Sequence, residues 1–361
     1  MSPERSKLAT VTDAVIVGAG PVGLFQVFEL GLLGLRAELV DSLPAIGGQC
    51  TELYPEKPIY DIPAVPVCTA QELIDRLAEQ IRPFAPGLHL GQEVTGVHRR
   101  DDGRFDVETS RGTRFDAGAV IVAGGVGSFQ PRRLSVPGAE QHESKSIHYR
   151  VKDAGLFRGS DLVILGGGDS ALDWTLSLAE TARSVVLVHR RAEFRAAPAS
   201  VQNMLALRDE GRVDFIEGQV QSIIETDGAL SGIRITTRDG LTRMVSLEHL
   251  LIFWGLHPKL GPIAQWGLAL NRKTIAVDTA RFQTSVPGIF AIGDINDYPG
   301  KKKLILSGFH EAALAAFAVR EYLRPGEKVH LQYTTTSPLL QKRLGLSTTT
   351  ILKELDSART G

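Results

Sequence analysis

Cysteine is nearly absent. The 361 residues hold two, Cys50 and Cys68, too far apart for a CxxC redox pair and too few for a four-ligand zinc site. Their scarcity fits a reducing compartment and argues against thiol chemistry as the main activity. A charge bias is missing too: 40 Lys and Arg stand against 41 Asp and Glu, a formal net charge of -1. Nothing in that balance draws the chain to nucleic acid or to an anionic membrane. Long apolar runs are also lacking, because the stretch from Val27 to Leu35 is broken by Glu29 and Gly31. It falls short of the ~20 residues that span a bilayer. Met1 to Thr12 has no apolar signal core, so the expectation is a cytoplasmic protein with neither nucleic acid nor membrane as partner. No nucleophile–base pair or cluster of metal ligands stands out.

What the chain does have is glycine, 37 residues of it, and a hydrophobic fraction of 43%, enough for about two ordinary cores. The apolar run Asp13-Ala14-Val15-Ile16-Val17 leads into Gly18-Ala19-Gly20-Pro21-Val22-Gly23, a helix-like stretch from Leu24 to Leu33, and a second run, Ala37 to Val40, that stops at Asp41. That is the order of a βαβ unit. The grammar returns in Asp161 to Leu165, Gly166-Gly167-Gly168-Asp169-Ser170-Ala171, a helix to about Thr181, and Ser184 to Val188, ending in His189-Arg190-Arg191. Gly18 to Asp41 and Gly166 to His189 span the same 23 positions, as an internal duplication would give. Alternating residues suggest β-meanders over Val94–Ala123 and about Val213–Phe253. Gly288-Ile289-Phe290-Ala291-Ile292-Gly293-Asp294 reads as a last buried strand, followed by a helix around Gly308–Leu323. The first module resumes there. The expected fold is therefore α/β, two three-layer Rossmann-like dinucleotide-binding domains with the second inserted into the first. The expected boundaries are 1–127, 128–253 and 254–332, with a tail over 333–361.

In each glycine turn, Gly18, Gly20 and Gly23 or Gly166, Gly168 and Ala171, the small residues allow a tight bend and close approach of a pyrophosphate. The following helix presents unpaired N–H groups to it, with Asp169 and Ser170 in the first turn of the second one. Pro21 suits a first helical turn, which needs no N–H there. The strand ends separate the two sites. Asp41 would accept hydrogen bonds from ribose hydroxyls and repel a 2′-phosphate. His189, Arg190 and Arg191, with Arg195 four residues on, would bind that phosphate through guanidinium forks. FAD is accordingly assigned to the first site and NADPH to the second, since hydride transfer between such cofactors needs orientation from the protein rather than a catalytic nucleophile. His310 reads as structural.

Taken together, Gly18 to Gly23, Gly47-Gly48-Gln49, Gly166 to Ala171, His189-Arg190-Arg191 with Phe194-Arg195-Ala196, and Gly293-Asp294-Ile295 resemble the thioredoxin reductase-like flavoproteins. Ser146 to Val151 carries no CxxC where thioredoxin reductase has one, and Cys50 has no partner cysteine where lipoamide dehydrogenase has one. Leu53-Tyr54-Pro55-Glu56-Lys57, Tyr60-Asp61-Ile62, Phe129-Gln130-Pro131-Arg132 and Lys301-Lys302-Lys303 are most similar to the ferredoxin–NADP⁺ reductases of that type. The resemblance implies FAD contacts at Asp41, Gln49, Tyr54, Val94, Phe129, Asp294 and Thr335, with Tyr54 stacked on one flavin face. It also implies a homodimer in which Tyr333 covers the other face from the neighbouring subunit. The implied acceptor is ferredoxin or flavodoxin, steered by Lys301 to Lys303, with Arg132-Arg133 and Lys342-Arg343 as further basic groups. An NADPH oxidase or diaphorase for small acceptors and a noncatalytic flavin redox sensor remain as alternatives.

Overall fold

A computed structural model describes residues 9–127, 130–151, 153–257, 260–327 and 338–343. The chain forms two compact units, the second spanning 129–257 and interrupting the first.

The first unit opens with β1 (Thr10–Val17), α1 (Pro21–Leu32) and β2 (Ala37–Asp41). The strands pair in parallel from Ala14↔Ala37 to Val17↔Val40, and their paired stretch is almost wholly buried, as strands at the centre of a parallel sheet are. Helix α1 buries Gly23, Leu24, Val27, Leu30 and Gly31, one stripe at helical spacing. It ends where Gly34 takes φ +73° and the amides of Leu33, Gly34 and Leu35 turn back to the carbonyls of Leu30 and Gly31. Next come α2 (Gln49–Leu53) and α3 (Ala70–Ile81), the latter started by a capping box in which the Thr69 hydroxyl accepts from the Glu72 amide at 3.1 Å and the Glu72 carboxylate from the Thr69 amide at 2.8 Å. Four strands follow: β3 (Gly87–Leu90), β4 (Val94–Arg99), β5 (Phe105–Thr109) and β6 (Arg114–Val122). The sheet runs β3-β2-β1-β6-β5-β4, parallel up to β6 and antiparallel beyond it.

The inserted unit repeats the plan with β7 (Asp161–Gly166), α4 (Asp169–Leu178), β8 (Ser184–His189), α5 (Pro198–Asp209), β9 (Asp214–Thr226), β10 (Ala229–Thr237), β11 (Thr242–Ser246) and β12 (His249–Phe253). Its sheet runs Ile147–His148, then β12, β7, β8, β9, β10 and β11. The pairings are parallel from Ile147–His148 to β9 and antiparallel from there on. The meander expected up to Phe253 thus stops at Ser246. Leu250, Leu251 and Ile252 are buried, and the strand they form joins the parallel centre beside β7. Helix α4 stops at Leu178 rather than Thr181, and a turn follows in which the amides of Thr181 and Ala182 both donate to the Leu178 carbonyl.

Back in the first unit, β13 (Ile289–Ala291) pairs in parallel with the second half of β6, from Ile289↔Val120 to Ala291↔Val122. Helix α6 (Ile305–Leu323) lies against α1, with the Phe25 and Phe309 rings 4.8 Å apart, and α7 (Pro338–Arg343) follows. No helix among the described residues is long and apolar enough to cross a membrane.

Candidate functional site

Each unit presents a glycine turn at the carboxyl end of its central strand, the edge at which open parallel sheets bind ligands. The three small residues of each turn do the same three jobs. A Cβ on Gly18 would lie 2.4 Å from the Ala123 carbonyl oxygen, and one on Gly166 would lie 2.6 Å from that of Phe253. The first glycine thus lets the turn press on the neighbouring strand end. A Cβ on Gly23 would lie 1.9 Å from the Gly18 carbonyl oxygen, so the third position presses the helix onto the turn; in the second unit Ala171 takes that place, its Cβ 2.7 Å from where one on Gly166 would stand. The middle glycines differ from both. A Cβ on Gly20 or Gly168 meets nothing within 4 Å, and neither residue, as N-cap, gives its helix a side-chain cap. Each helix therefore offers unpaired amides on an open face, a cradle for a pyrophosphate.

Around the first turn, Asp41 closes β2 with Oδ2 accepting from the Ala19 amide at 2.6 Å and Oδ1 from Leu43 at 2.8 Å. Burial pushes its carboxyl up from the ordinary value while those amides pull it down. Gly47 bonds the Ala19 carbonyl at 2.8 Å, and Gly48, at φ +56°, sits so that a Cβ would come within 3.1 Å of the Gly20 Cα. Helix α2 then carries Gln49, Cys50 and, at its C-cap, Tyr54. The Gln49 side chain hydrogen-bonds Asp294, and a Cβ on Gly125 would lie 3.3 Å from its Nε2. Burial pushes the Asp294 carboxyl up, opposed by the nearby charges of Lys303 and Lys301. Gln49, Tyr54 and Asp294 are thus brought together with the first turn. Val94 is 2% exposed within the core of β4, β5 and β6, so its side chain has no open face for a ligand. Phe129, Tyr333 and Thr335 lie outside the described residues.

Around the second turn, the loop after β8 is tied to the glycines from two sides: the Arg195 amide donates to the Gly167 carbonyl at 2.7 Å, and Asp169 Oδ1 accepts from Ala197 N at 2.8 Å. The His189 ring stacks on Phe194 and lies where a Gly167 side chain would be, at 2.4 Å. Burial, then Arg190, hold its imidazole below the usual value and so uncharged at neutral pH. Arg190, Arg191, Arg195 and Ser170 are exposed, and no described residue forms an ion pair with the three arginines. Asp169 therefore works as a strut for the basic loop, a role the motif does not announce.

The basic groups read as an acceptor-steering patch need correction. The side chain of Lys301 is only 6% exposed, and its ammonium is paired with Glu311. Arg133 pairs with Glu143 at 2.8 Å, and Arg343 donates to the Gly31 carbonyl at 3.1 Å with its guanidinium over the Phe84 ring. The side chain of Lys342 lies outside those described. Lys302, Lys303 and Arg132 are exposed, and so is His310, in the second turn of α6. Sequence reasoning also missed Gly125, beside Gln49, and Glu311. Both left a signal: a glycine pair directly after a long apolar strand, and one carboxylate in the alanine-rich run of α6.

Two dinucleotide-type turns at the parallel centres of duplicated sheets, one followed by a strand ending in a carboxylate and the other by a strand ending at arginines, define a two-nucleotide oxidoreductase. The family model for pyridine nucleotide-disulphide oxidoreductases matches residues 12–319, and the chain belongs to that family. It is 62% identical over 336 residues to ferredoxin–NADP reductase 2 of Cupriavidus metallidurans, covering 93% of this chain and 92% of that one. It is likewise 62% identical over 341 residues to ferredoxin–NADP reductase of Methylibium petroleiphilum, covering 93% of each. Among solved structures it resembles thioredoxin reductase of T. acidophilum, with a TM-score of 0.73 and 25% identity over 86% of this chain and 98% of that one.

Despite the family's name, both cysteines here are free and buried. Burial pushes the Cys50 thiol up to about 11, with Asp294 and Cys68 adding to the effect and a hydrogen bond to Tyr54 opposing it. A thiol so shifted is protonated at neutral pH and a poor nucleophile. Cys50→Ser with Cys68→Ser should therefore keep NADPH-to-dye turnover. Lost turnover in a folded variant of full flavin content would bring cysteine chemistry back.

Proposed function

We propose that the protein is a ferredoxin–NADP⁺ reductase, a flavoenzyme that moves electrons between NADPH and ferredoxin through FAD. The observation that carries this reading is the opposite charge at two equivalent strand ends, Asp41 after β2 and Arg190-Arg191 after β8. The names of the 62%-identical relatives support the acceptor. On this reading the interrupted unit is the FAD domain and the insert the NADPH domain.

The residues present fit both groups. The open face at Gly20 and the uncapped start of α1 suit the FAD pyrophosphate, Asp41 the ribose, and Gln49, Tyr54 and Asp294 the flavin end, with Phe129, Thr335 and the partner-covering Tyr333 assigned by resemblance. Gly166, Gly168, Asp169 and Ser170 would frame the NADPH pyrophosphate, and Arg190, Arg191 and Arg195 would hold the 2′-phosphate beside His189. Bound FAD would supply the chemistry, as hydride acceptor toward NADPH and one-electron donor toward the carrier. The chain's own part is orientation: Tyr54, whose phenol burial pushes up and keeps neutral, offers an apolar ring face, and Gln49 fixes Asp294. By the same resemblance the enzyme works as a homodimer, and its two free, buried cysteines fit a cytoplasmic location.

The test is NADPH-dependent reduction of purified ferredoxin by protein carrying about one FAD per chain. Exposed Lys303, whose charge is felt at Asp294, and its exposed neighbour Lys302 favour an acidic partner, and steering of that kind is screened as the Debye length falls from ~10 Å at 0.1 M salt to ~3 Å at 1 M. Ferredoxin reduction should drop steeply with salt while reduction of a neutral quinone does not, and Lys302→Glu should raise KM for ferredoxin. Ferredoxin turnover no faster than the quinone's, and flat with salt, would defeat the acceptor assignment.

A further inference from the structure

Helix α6 packs into the first unit mainly through small apolar residues, Ala312, Ala315, Ala316 and Val319. Among them is a carboxylate, Glu311, with 0% side-chain exposure. Its Oε2 accepts from the Gly293 amide at 2.7 Å and from Asn296 Nδ2 at 2.9 Å. Its Oε1 accepts from the Tyr298 hydroxyl at 2.9 Å and from the Lys301 ammonium. Four donors saturate the carboxylate. Lys301 Nζ donates in turn to the Gly293 carbonyl at 2.8 Å and lies 5.3 Å from the centre of the Tyr298 ring. The residue preceding Asp294 is thus held at both polar atoms, its N–H by the anion and its C=O by the cation.

A buried ion pair is a poor way to gain stability, since well-packed apolar residues of similar size usually serve as well or better. What this pair adds is a fixed backbone. Gly293 has φ +76°, a conformation that favours glycine, and a Cβ on it would lie 3.5 Å from Val22 in the first turn of α1. The clamp therefore ties the turn carrying Asp294 to α6, with the start of α1 within packing distance of Gly293. It also leaves one whole charge of each sign beside Asp294, and both are felt there: Lys301 lowers and Glu311 raises its proton affinity.

We propose that Lys301 and Glu311 are positioning residues of the flavin site, an electroneutral clamp that orients the Gly293–Asp294 turn and whose charge balance tunes the flavin potential. The proposal rests on the assignment of FAD to the first unit. A merely structural pair would lower stability in either single variant without a signed electrical effect. A clamp beside the flavin gives opposite signs, because Glu311→Gln leaves the cation uncompensated and Lys301→Met leaves the anion.

The experiment compares wild type, Glu311→Gln, Lys301→Met and the double variant, with thermal melting, FAD dissociation by fluorescence, and flavin midpoint potential by dye-coupled titration. Each single variant should weaken FAD binding about tenfold, the scale of one lost hydrogen bond to a charged group. The potential should rise in Glu311→Gln, fall in Lys301→Met and return toward wild type in the double variant. Should a single variant fail to fold, the other single and the neutral double still carry the sign comparison, and Lys301→Arg should hold the wild-type potential. Shifts of the same sign, or none in folded flavin-bearing variants, overturn the clamp and leave the function standing. Wild-type protein that binds no FAD overturns both.

Discussion

Alanine at both Arg190 and Arg191 should remove most of the enzyme's preference for NADPH over NADH. Both side chains are exposed at the end of β8, and Arg195 sits on the same loop, bonded through its backbone to Gly167. Each charge-assisted contact with a 2′-phosphate contributes roughly 1.5–3 kcal/mol, so the loss of two corresponds to about 3–6 kcal/mol, or ~10²–10⁴ in the ratio of kcat/KM values. The effect should fall on NADPH alone. NADH has no 2′-phosphate to lose, and FAD content should be unchanged because its assigned site belongs to the other unit. A double variant that keeps the wild-type ratio would mean that the 2′-phosphate is read elsewhere.

Alanine in the first glycine turn should separate ligand binding from folding. Gly20→Ala places a methyl where no protein atom lies within 4 Å, so melting temperature should barely move. The same methyl stands on the open face at the start of α1, where a pyrophosphate must approach, and FAD affinity should fall at least ~100-fold as amide contacts to the phosphates are lost. Gly23→Ala drives its methyl to 1.9 Å from the Gly18 carbonyl oxygen, backbone that cannot step aside, and should lower both stability and flavin content. Thermal melting with flavin absorbance distinguishes the two. A Gly20→Ala protein that retains wild-type FAD affinity would place the cofactor elsewhere.

Much of this was legible beforehand because parallel strands buried on both faces must be short apolar runs, and a turn that meets a phosphate must be glycine. The two βαβ units therefore show in the chain as runs and glycines at matched spacing. His249–Phe253 misled because a short apolar strand at the end of a meander is indistinguishable in sequence from one that crosses into the parallel centre. Only its pairing with Gly166 and its neighbours on β7 separates the two. Lys301 misled for a related reason. Three consecutive lysines look like a solvated run, and nothing local says that the first turns inward to meet Glu311, ten residues on and in another element.

The sequence by itself determined the duplication, the two nucleotide turns and the contrast of charge at their strand ends, since these are local: adjacent residues, fixed by strand and helix geometry. Tertiary structure alone decided how distant residues meet. It brought Gln49 to Asp294, turned Asp169 into a strut for the arginine loop, and buried Lys301 with Glu311 beneath Gly293. The physical reason lies in the range of the forces involved. Backbone conformation and strand burial are settled over a few residues, whereas the partner of a buried charge is settled by whichever opposite charge the packed sheets and helices leave within reach.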